Sequence, residues 1–491
     1  MLEHLNEDLS AADSGTGEFA CAVKMGSHGA CKRSLHTAPD GVDKTPVCLM
    51  HSKDPAKLDG SLCEKTLAEF EHILEEAGAG DAHFESFVLP GIDLGYRVIQ
   101  SQCWFDQVTF TAEAKFLYTD FANNVYFNQT TFMVTGVFTE CVFQRKATLN
   151  GTKFIKGANF TGTKFTGKAV LNNSTFGKMN SDESALFRKA IFTSDASFLK
   201  TKFLGEADFR DVVFAAGGWF RYIEFASRTE GKPSAVFARA FFADPRRIIF
   251  DGGDLSRVSL HGCDVSQIRF STSVKWGKEG IHGKRGGVVV EEALLLEREK
   301  PRLVETGLDH NAVAHIYQQL KKSYDDRLDY WTANKFHYGE MEMLRLAGPA
   351  EAKGLLKLWG RLSPQIGLVA WYRYASDYGN SYIKPILWLL ATLVLFAGLY
   401  PLTGLKYSGQ NCRETYTSTW SAVKTPKEKL QAELSLVGRS LLAAVDVAGF
   451  QKSPEYVPAY PWGRVLGIAE TVLTSTLFAL FLLAIRRQFR R

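Results

Sequence analysis

The sequence predicts a multidomain protein: a solenoid of short β steps, then an α-helical hairpin, then two transmembrane helices. Three observations predict it. Phenylalanine stands at positions 110, 121, 132, 143, 154, 165, 176, 187, 198, 209 and 220, an eleven-residue repeat without a miss. Residues 310–346 place Val313, Ile316, Tyr317, Leu320 and Tyr324, then Tyr330, Ala333, Phe336, His337 and Met341, at helical spacing on either side of a polar break. Two 21-residue stretches, Pro385 to Leu405 and Val465 to Ile485, are apolar and carry Glu470 as their only charge.

At 491 residues, with composition shifting along the chain, several modules are expected. The net charge of +5 is mild. Residues 103–225 hold 14 Lys+Arg against 11 Asp+Glu, so neither a nucleic-acid-coating protein nor an acidic mimic of DNA is expected, and nucleic acid is not an expected partner. The opening MLEHLNEDLSAADSGTGEFA lacks a positive head followed by an apolar stretch, so the N-terminal part is expected in the cytosol.

Residues 1–66 read as a leader with a metal knuckle. Four of eight cysteines precede residue 64, which in a cytosolic module points to metal rather than disulfides. Cys21, Cys31, Cys48 and His51 form C-x9-C-x16-C-x2-H, and thiolates with an imidazole at such spacing suit structural, tetrahedral zinc. Cys21 is the least determined ligand, with His28, His36 and Cys63 as alternatives; free thiols are the competing reading. Residues 67–96 read as a short connector.

In residues 97–272 a second series (Phe105, Phe116, Phe127, Phe138, Leu149, Phe160, Leu171) precedes the first by five residues, so steps alternate between five and six. After Phe187 the order inverts, with Phe192, Phe203, Phe214 and Phe225 following by five, and Ser181-Asp182 leave one rung empty, which reads as a small insertion or kink. Compact residues such as Ala114, Cys141, Ala147, Ala158 and Thr163 stand two positions before the large ones. Farther on, Phe250, Leu255, Leu260, Val265 and Phe270 keep a strict five-residue spacing. One coil cannot bury its phenylalanine alone, so stability must come from stacking. An eleven-residue period also suits a helical supercoil, but the Gly, Thr, Asn and β-branched residues here disfavour helix. These features resemble pentapeptide-repeat proteins. The resemblance implies a right-handed quadrilateral β-helix with the large residues stacked inside, as core without chemistry. A similar Cys…Cys…CxxH knuckle often starts bacterial members, although the first gap is usually shorter.

Residues 273–309, with GKEGIHGKRGG, read as a mobile linker. Residues 310–380 read as a helical hairpin and a juxtamembrane segment, Trp371, Tyr372, Arg373, Tyr374, Asp377, Tyr378 and Gly379. The combination resembles bacterial pentapeptide-repeat membrane proteins.

Residues 381–491 read as a two-span, pore-like domain. At 1.5 Å per residue, 21 residues make a helix of about 31 Å, the thickness of a bilayer core. Arg486, Arg487, Arg490 and Arg491 after the second span place it, by the positive-inside rule, with both termini cytoplasmic, in a multi-pass protein of the cell inner membrane contacting lipid. Trp388, Tyr400 and Trp462 stand near span ends, where interfacial aromatics are common. Between the spans, Leu434 to Phe450 is apolar at helical spacing and short for a span. It is read as a re-entrant pore helix followed by a constricting loop, or as an amphipathic helix on the outer surface. In the first reading Asp446 and Glu455 are the loop acids. Glu470, Thr471, Thr474, Ser475 and Phe478 are the candidate pore-lining residues; the competing reading has Glu470 reaching the interface, paired with Arg464.

The order span, short helix, span resembles the two-helix domain of potassium-channel-like proteins, but no Gly-Tyr-Gly filter follows Ala444, so potassium selectivity does not carry over. A conduit would require a homo-oligomer. The expected function is an oligomeric, cation-conducting channel-like protein whose cytosolic repeat domain senses a ligand or protein partner. The alternatives are a membrane-anchored interaction scaffold, or a membrane-disrupting effector of bacterial immunity. With no nucleophile elbow, phosphate loop, zincin helix or paired-carboxylate cleft, no enzyme and no catalytic residue are expected.

Overall fold

The eleven-residue unit is half a coil. Parallel, in-register pairing joins Trp104 to Tyr126, Tyr126 to Thr148 and Thr148 to Val170, so one coil takes 22 residues. Coils contribute short strands to four parallel sheets of nine, seven, seven and seven strands, in a β-solenoid of about eight turns. The structure is a computed structural model and describes residues 21–25, 29–39, 41–178, 183–226, 233–280, 283–296, 307–347, 365, 367–403, 405–407, 426–449, 456–458 and 461–488. It divides into two units, Met1–Ser323 and Tyr324–Arg491.

Inside the first unit each sheet carries a column of rings. Phe116, Phe138, Phe160, Phe187, Phe209 and Phe237 stack with centroids 4.6 to 4.9 Å apart. That is the strand spacing itself, so backbone pairing and ring stacking are satisfied by one repeat distance. The inverted order after Phe187 has a geometric cause. Pairing runs from Val170 to Ser197, five residues longer than a regular coil, and five residues are one side. Phe176 stacks on Phe154 and Phe203, whereas Phe187 stacks on Phe160 and Phe209, so the unbroken eleven-residue series changes sheets at this point. Ser181 and Asp182 themselves lie outside the described residues. The last regular pairing, Ile249 with Arg269, is shorter than 22 and matches the strict five-residue steps.

Corners explain the residues between phenylalanines. Tyr96, Gln107, Tyr118, Gln129, Glu140 and Asn173 have φ of 54 to 60°, and Gly151 and Gly162 fill the same register at 68°. With Thr119 N donating to Phe116 O at 3.2 Å, these are turns that need a left-handed third residue. At several corners the next residue is a buried threonine whose hydroxyl bonds the neighbouring coil: Thr119 to Leu94 O (2.8 Å), Thr152 to Phe127 O (2.7 Å), Thr163 to Phe138 O (2.6 Å), Thr201 to Leu171 O (2.7 Å). Ala114, Ala147, Ala158, Ala169, Ala185, Ala196 and Ala207 are buried, as their compactness predicted.

Both ends of the solenoid are covered, as stacked repeats require. At the start, helix α1 (Gly60–Ala77) lays Phe70 on Phe84, 4.6 Å between centroids, and Phe84 lies on Phe105 at 4.9 Å. Pairing begins at Asp81, so part of the expected connector is the first coil. At the far end, the segment read as a mobile linker contains an antiparallel pair, Gly277–Gly280 with Gly283–Val288, and helix α2 (Val290–Leu296). Its glycines serve the hairpin, and Glu291 of α2 accepts from Leu260 N at 2.5 Å and Ser259 Oγ at 3.0 Å. Helix α3 (His310–Asp325) accepts Val265 N at Gln319 Oε1 (2.8 Å) and donates Ser323 Oγ to Ile268 O (2.7 Å), closing edge groups of the last coil.

The second unit contains α4 (Tyr330–Ala347), α5 (Leu368–Ser376), α6 (Ile383–Thr403), α7 (Pro426–Ala448) and α8 (Pro461–Gln488). Two of them, α6 and α8, are long and apolar enough to cross a membrane. Helix α7 packs on both. Phe396 and Tyr400 of α6 meet Ala443 and Ala444 of α7, with Leu466 of α8 alongside. Small residues allow that close approach, as in membrane helix packing. Helix α7 begins at Pro426, eight residues before the expected start, and it includes Asp446, which was expected at the head of a loop.

Candidate metal centre and membrane-helix site

The N-terminal knuckle is built by chain reversals. Cys31 N donates to Val23 O at 3.0 Å, Ala22 N to Pro46 O at 3.0 Å, and the turn after Cys48 closes with His51 N to Cys48 O at 3.1 Å. These bring Cys21, Cys31, Cys48 and His51 together, all buried, with their ligand atoms within 4.8 Å of one another. Cys21 Sγ lies 3.4 Å from His51 Nδ1, Cys48 Sγ 3.1 Å from it, and Cys31 Sγ 3.8 Å from Cys48 Sγ. A tetrahedron with bonds of about 2.0–2.3 Å has edges of about 3.3–3.8 Å, so the donor set fits a closed four-ligand site. His51 Nε2 donates to Glu85 O at 3.1 Å. A carbonyl only accepts, so Nδ1 is left unprotonated and aimed at the sulfurs, the usual supporting arrangement of a metal-bound histidine.

The first gap therefore does not exclude Cys21. Among the alternatives, His36 is held by Asp54 at 3.0 Å, Cys63 lies on α1 away from the cluster, and His28 falls outside the described residues. The two neighbouring thiols are electrostatically unequal: the hydrogen bond with Cys48 brings Cys31 down to about 3, and the same bond pushes Cys48 up. Lys57, absent from the sequence-based site, is buried beside this turn, and burial lowers its ammonium to about 8. Nothing in the spacing of the ligands marks it.

In the second unit, the residues read as one polar stripe divide. Gly463, Glu470, Leu477 and Ala484 recur every seven residues and are buried, with Thr474 beside them. Glu470 is fully enclosed, and Tyr400 Oη donates to its Oε2 at 2.6 Å. Its Oε1 and Ser440 Oγ of α7 are buried without a hydrogen-bond partner among the described residues. Arg464 is exposed and does not pair with Glu470. Tyr400, expected at the interface, is completely buried instead, because its hydroxyl satisfies the carboxylate.

The remaining candidates face elsewhere. Thr471 and Ser475 are half-buried, and Phe478 is 52% exposed. The hydroxyls bond back to their own helix, Thr471 to Gly467 O at 2.9 Å, Thr474 to Glu470 O at 2.8 Å and Ser475 to Thr471 O. Asp446 is buried on α7, and Glu455 lies outside the described residues.

The juxtamembrane motif has a structural explanation. Tyr378 Oη donates to Glu342 Oε2 at 2.6 Å, Arg345 Nη2 to Glu342 Oε1 at 2.7 Å, and Arg373 stands 3.5 Å from the same oxygen. Arg487, at the end of α8, donates to Asn334 Oδ1 at 2.8 Å and to Tyr378 O at 3.1 Å. Gly379 has φ 77°, a left-handed conformation that strains residues with a side chain, and a Cβ there would also have to displace Tyr372 Oη, 2.8 Å away. Trp371 and Tyr374 are exposed.

No protein-family profile, curated protein or solved structure matches the chain.

Proposed function

We propose that the chain is an oligomeric, channel-like membrane protein. In this reading α6 and α8 are the spans, α7 is the re-entrant helix, and the solenoid is a right-handed quadrilateral pentapeptide-repeat domain on the cytoplasmic side of a bacterial inner membrane, carrying structural zinc at its start. The observation that carries it is the seating of α7, 23 residues long, against both apolar helices through Ala443 and Ala444, between the two apolar helices in chain order. Both termini are cytoplasmic, and the solenoid biases the pore when it binds a ligand or protein.

Within this proposal the conduit-facing side of α8 is Thr471, Ser475 and Phe478, and Glu470 braces the protomer. A fully enclosed carboxyl bonded to its own chain's Tyr400 is poorly placed to meet permeating ions. That same enclosure favours the second reading, a membrane-anchored scaffold in which the helices only tether. Ion flux from proteoliposomes separates the two: the channel reading expects cation release from vesicles holding oligomers, and the scaffold reading expects none.

A further inference from the structure

Lys57 sits in the helical turn Pro55–Leu58 and is 2% exposed. Its Nζ donates to Leu49 O (2.6 Å), Met50 O (3.2 Å), Ser52 O (3.1 Å) and Val88 O (2.5 Å). Three of those carbonyls belong to the turn that presents Cys48 and His51. Among the described residues no carboxylate is in salt-bridge contact with it, although Asp43 and Asp54 act on its charge from farther off. Of the other basic groups nearby, His36 pairs with Asp54 at 3.0 Å, and Arg33 pairs with Glu69 at 2.9 Å while its Nη1 reaches Cys31 Sγ at 4.0 Å. A buried ammonium with only neutral partners is costly unless an opposite charge stands close.

The metal centre, through Cys48, would supply the largest share of that charge, ahead of Asp43 and Asp54. Three thiolates and a neutral imidazole around a divalent ion sum to one negative charge. We propose that Lys57 is the counter-charge and positioning residue of the Cys21, Cys31, Cys48 and His51 centre. Its contacts with Leu49, Met50 and Ser52 O shape the turn that presents Cys48 and His51, and its positive charge balances the metal–thiolate cluster. This rests on the zinc reading above and adds to it a residue outside the ligand set.

The test compares full-length, detergent-solubilised wild type with Lys57→Met, Lys57→Gln and Lys57→Arg. Zinc retention is followed by titration with a chromophoric chelator, and thermal unfolding is followed with and without zinc. Wild type is expected to hold zinc, and Lys57→Met to release it at roughly tenfold lower chelator concentration, the scale of outer-shell effects on metal affinity. Lys57→Arg keeps the charge and is expected to recover most of the retention. Lys57→Gln keeps donors without charge and should behave as Lys57→Met, which preserves the comparison where the methionine variant does not fold. The zinc-dependent rise in melting temperature should shrink in both neutral variants. Retention by Lys57→Gln equal to wild type overturns the proposal, as does an equal fall in melting temperature with and without zinc, which makes Lys57 a packing residue alone. Wild type that binds no zinc removes the metal reading itself.

Discussion

Tyr400 of α6 donates its hydroxyl to Glu470 of α8 at 2.6 Å, and both side chains are fully buried. A polar group enclosed among apolar helices must find its partner in the protein. The pair therefore ties the two apolar helices at one fixed height, and α7 closes over it with Ala443 and Ala444.

Tyr400→Phe leaves Glu470 with no donor among the described residues. Loss of a buried partner costs about 1–3 kcal/mol, so thermal stability of the second unit should fall in detergent. Glu470→Gln keeps an acceptor for Tyr400 and should fall less. Equal stability of Tyr400→Phe and wild type would remove the pair's structural role.

The metal centre predicts about one zinc per chain by elemental analysis. Cys48→Ser, which removes the thiol that contacts both His51 and Cys31, should abolish binding, while Cys63→Ser should not. A folded, metal-free wild type would contradict the assignment.

In the solenoid, Phe138 touches rings above, below and beside it. Phe138→Ala should cost about 3–5 kcal/mol, the range of large-to-small core substitutions. Substituting exposed Tyr222 should cost less than about 0.5 kcal/mol. Urea unfolding compares them, and equal effects would deny the inward stack.

Asp208 is buried, which raises its carboxyl, but hydrogen bonds from Arg210 and Arg188 outweigh that and hold it below the usual carboxylate range. A depressed folded value gives stability that is present above the unfolded value, about 3.9, and lost as pH falls through the folded one. Asp208→Asn should therefore flatten the acid side of the solenoid's stability profile. An unchanged profile would contradict the pairing.

Much of this was legible because a repeat states its own geometry. The phenylalanine and alanine positions gave the inward stack, and the five-residue step at Phe250 to Phe270 gave the shorter last coil. The insertion near Phe187 was readable from the inverted order of the two series, although an insertion of one side leaves the eleven-residue count intact and so does not show which residues change sheets. Glycines at 277–287 resemble a linker in composition, and only the pairing of Gly277 with Val288 distinguishes a hairpin. The ligands Cys21, Cys31, Cys48 and His51 were readable by type, whereas Lys57 was not, because its role comes from carbonyls that no side-chain pattern records. Along α8, polarity alone grouped Glu470 with Ser475; their different faces follow from the partner helix, which sequence spacing does not name.

The most direct test of the account is single-channel recording of the purified protein in planar bilayers, with Ser475→Lys and Glu470→Gln alongside. The account predicts discrete cation currents whose unitary conductance falls in Ser475→Lys, while Glu470→Gln keeps the unitary conductance. Silence from well-inserted wild-type oligomers, or a conductance altered by Glu470→Gln and indifferent to Ser475→Lys, would contradict it.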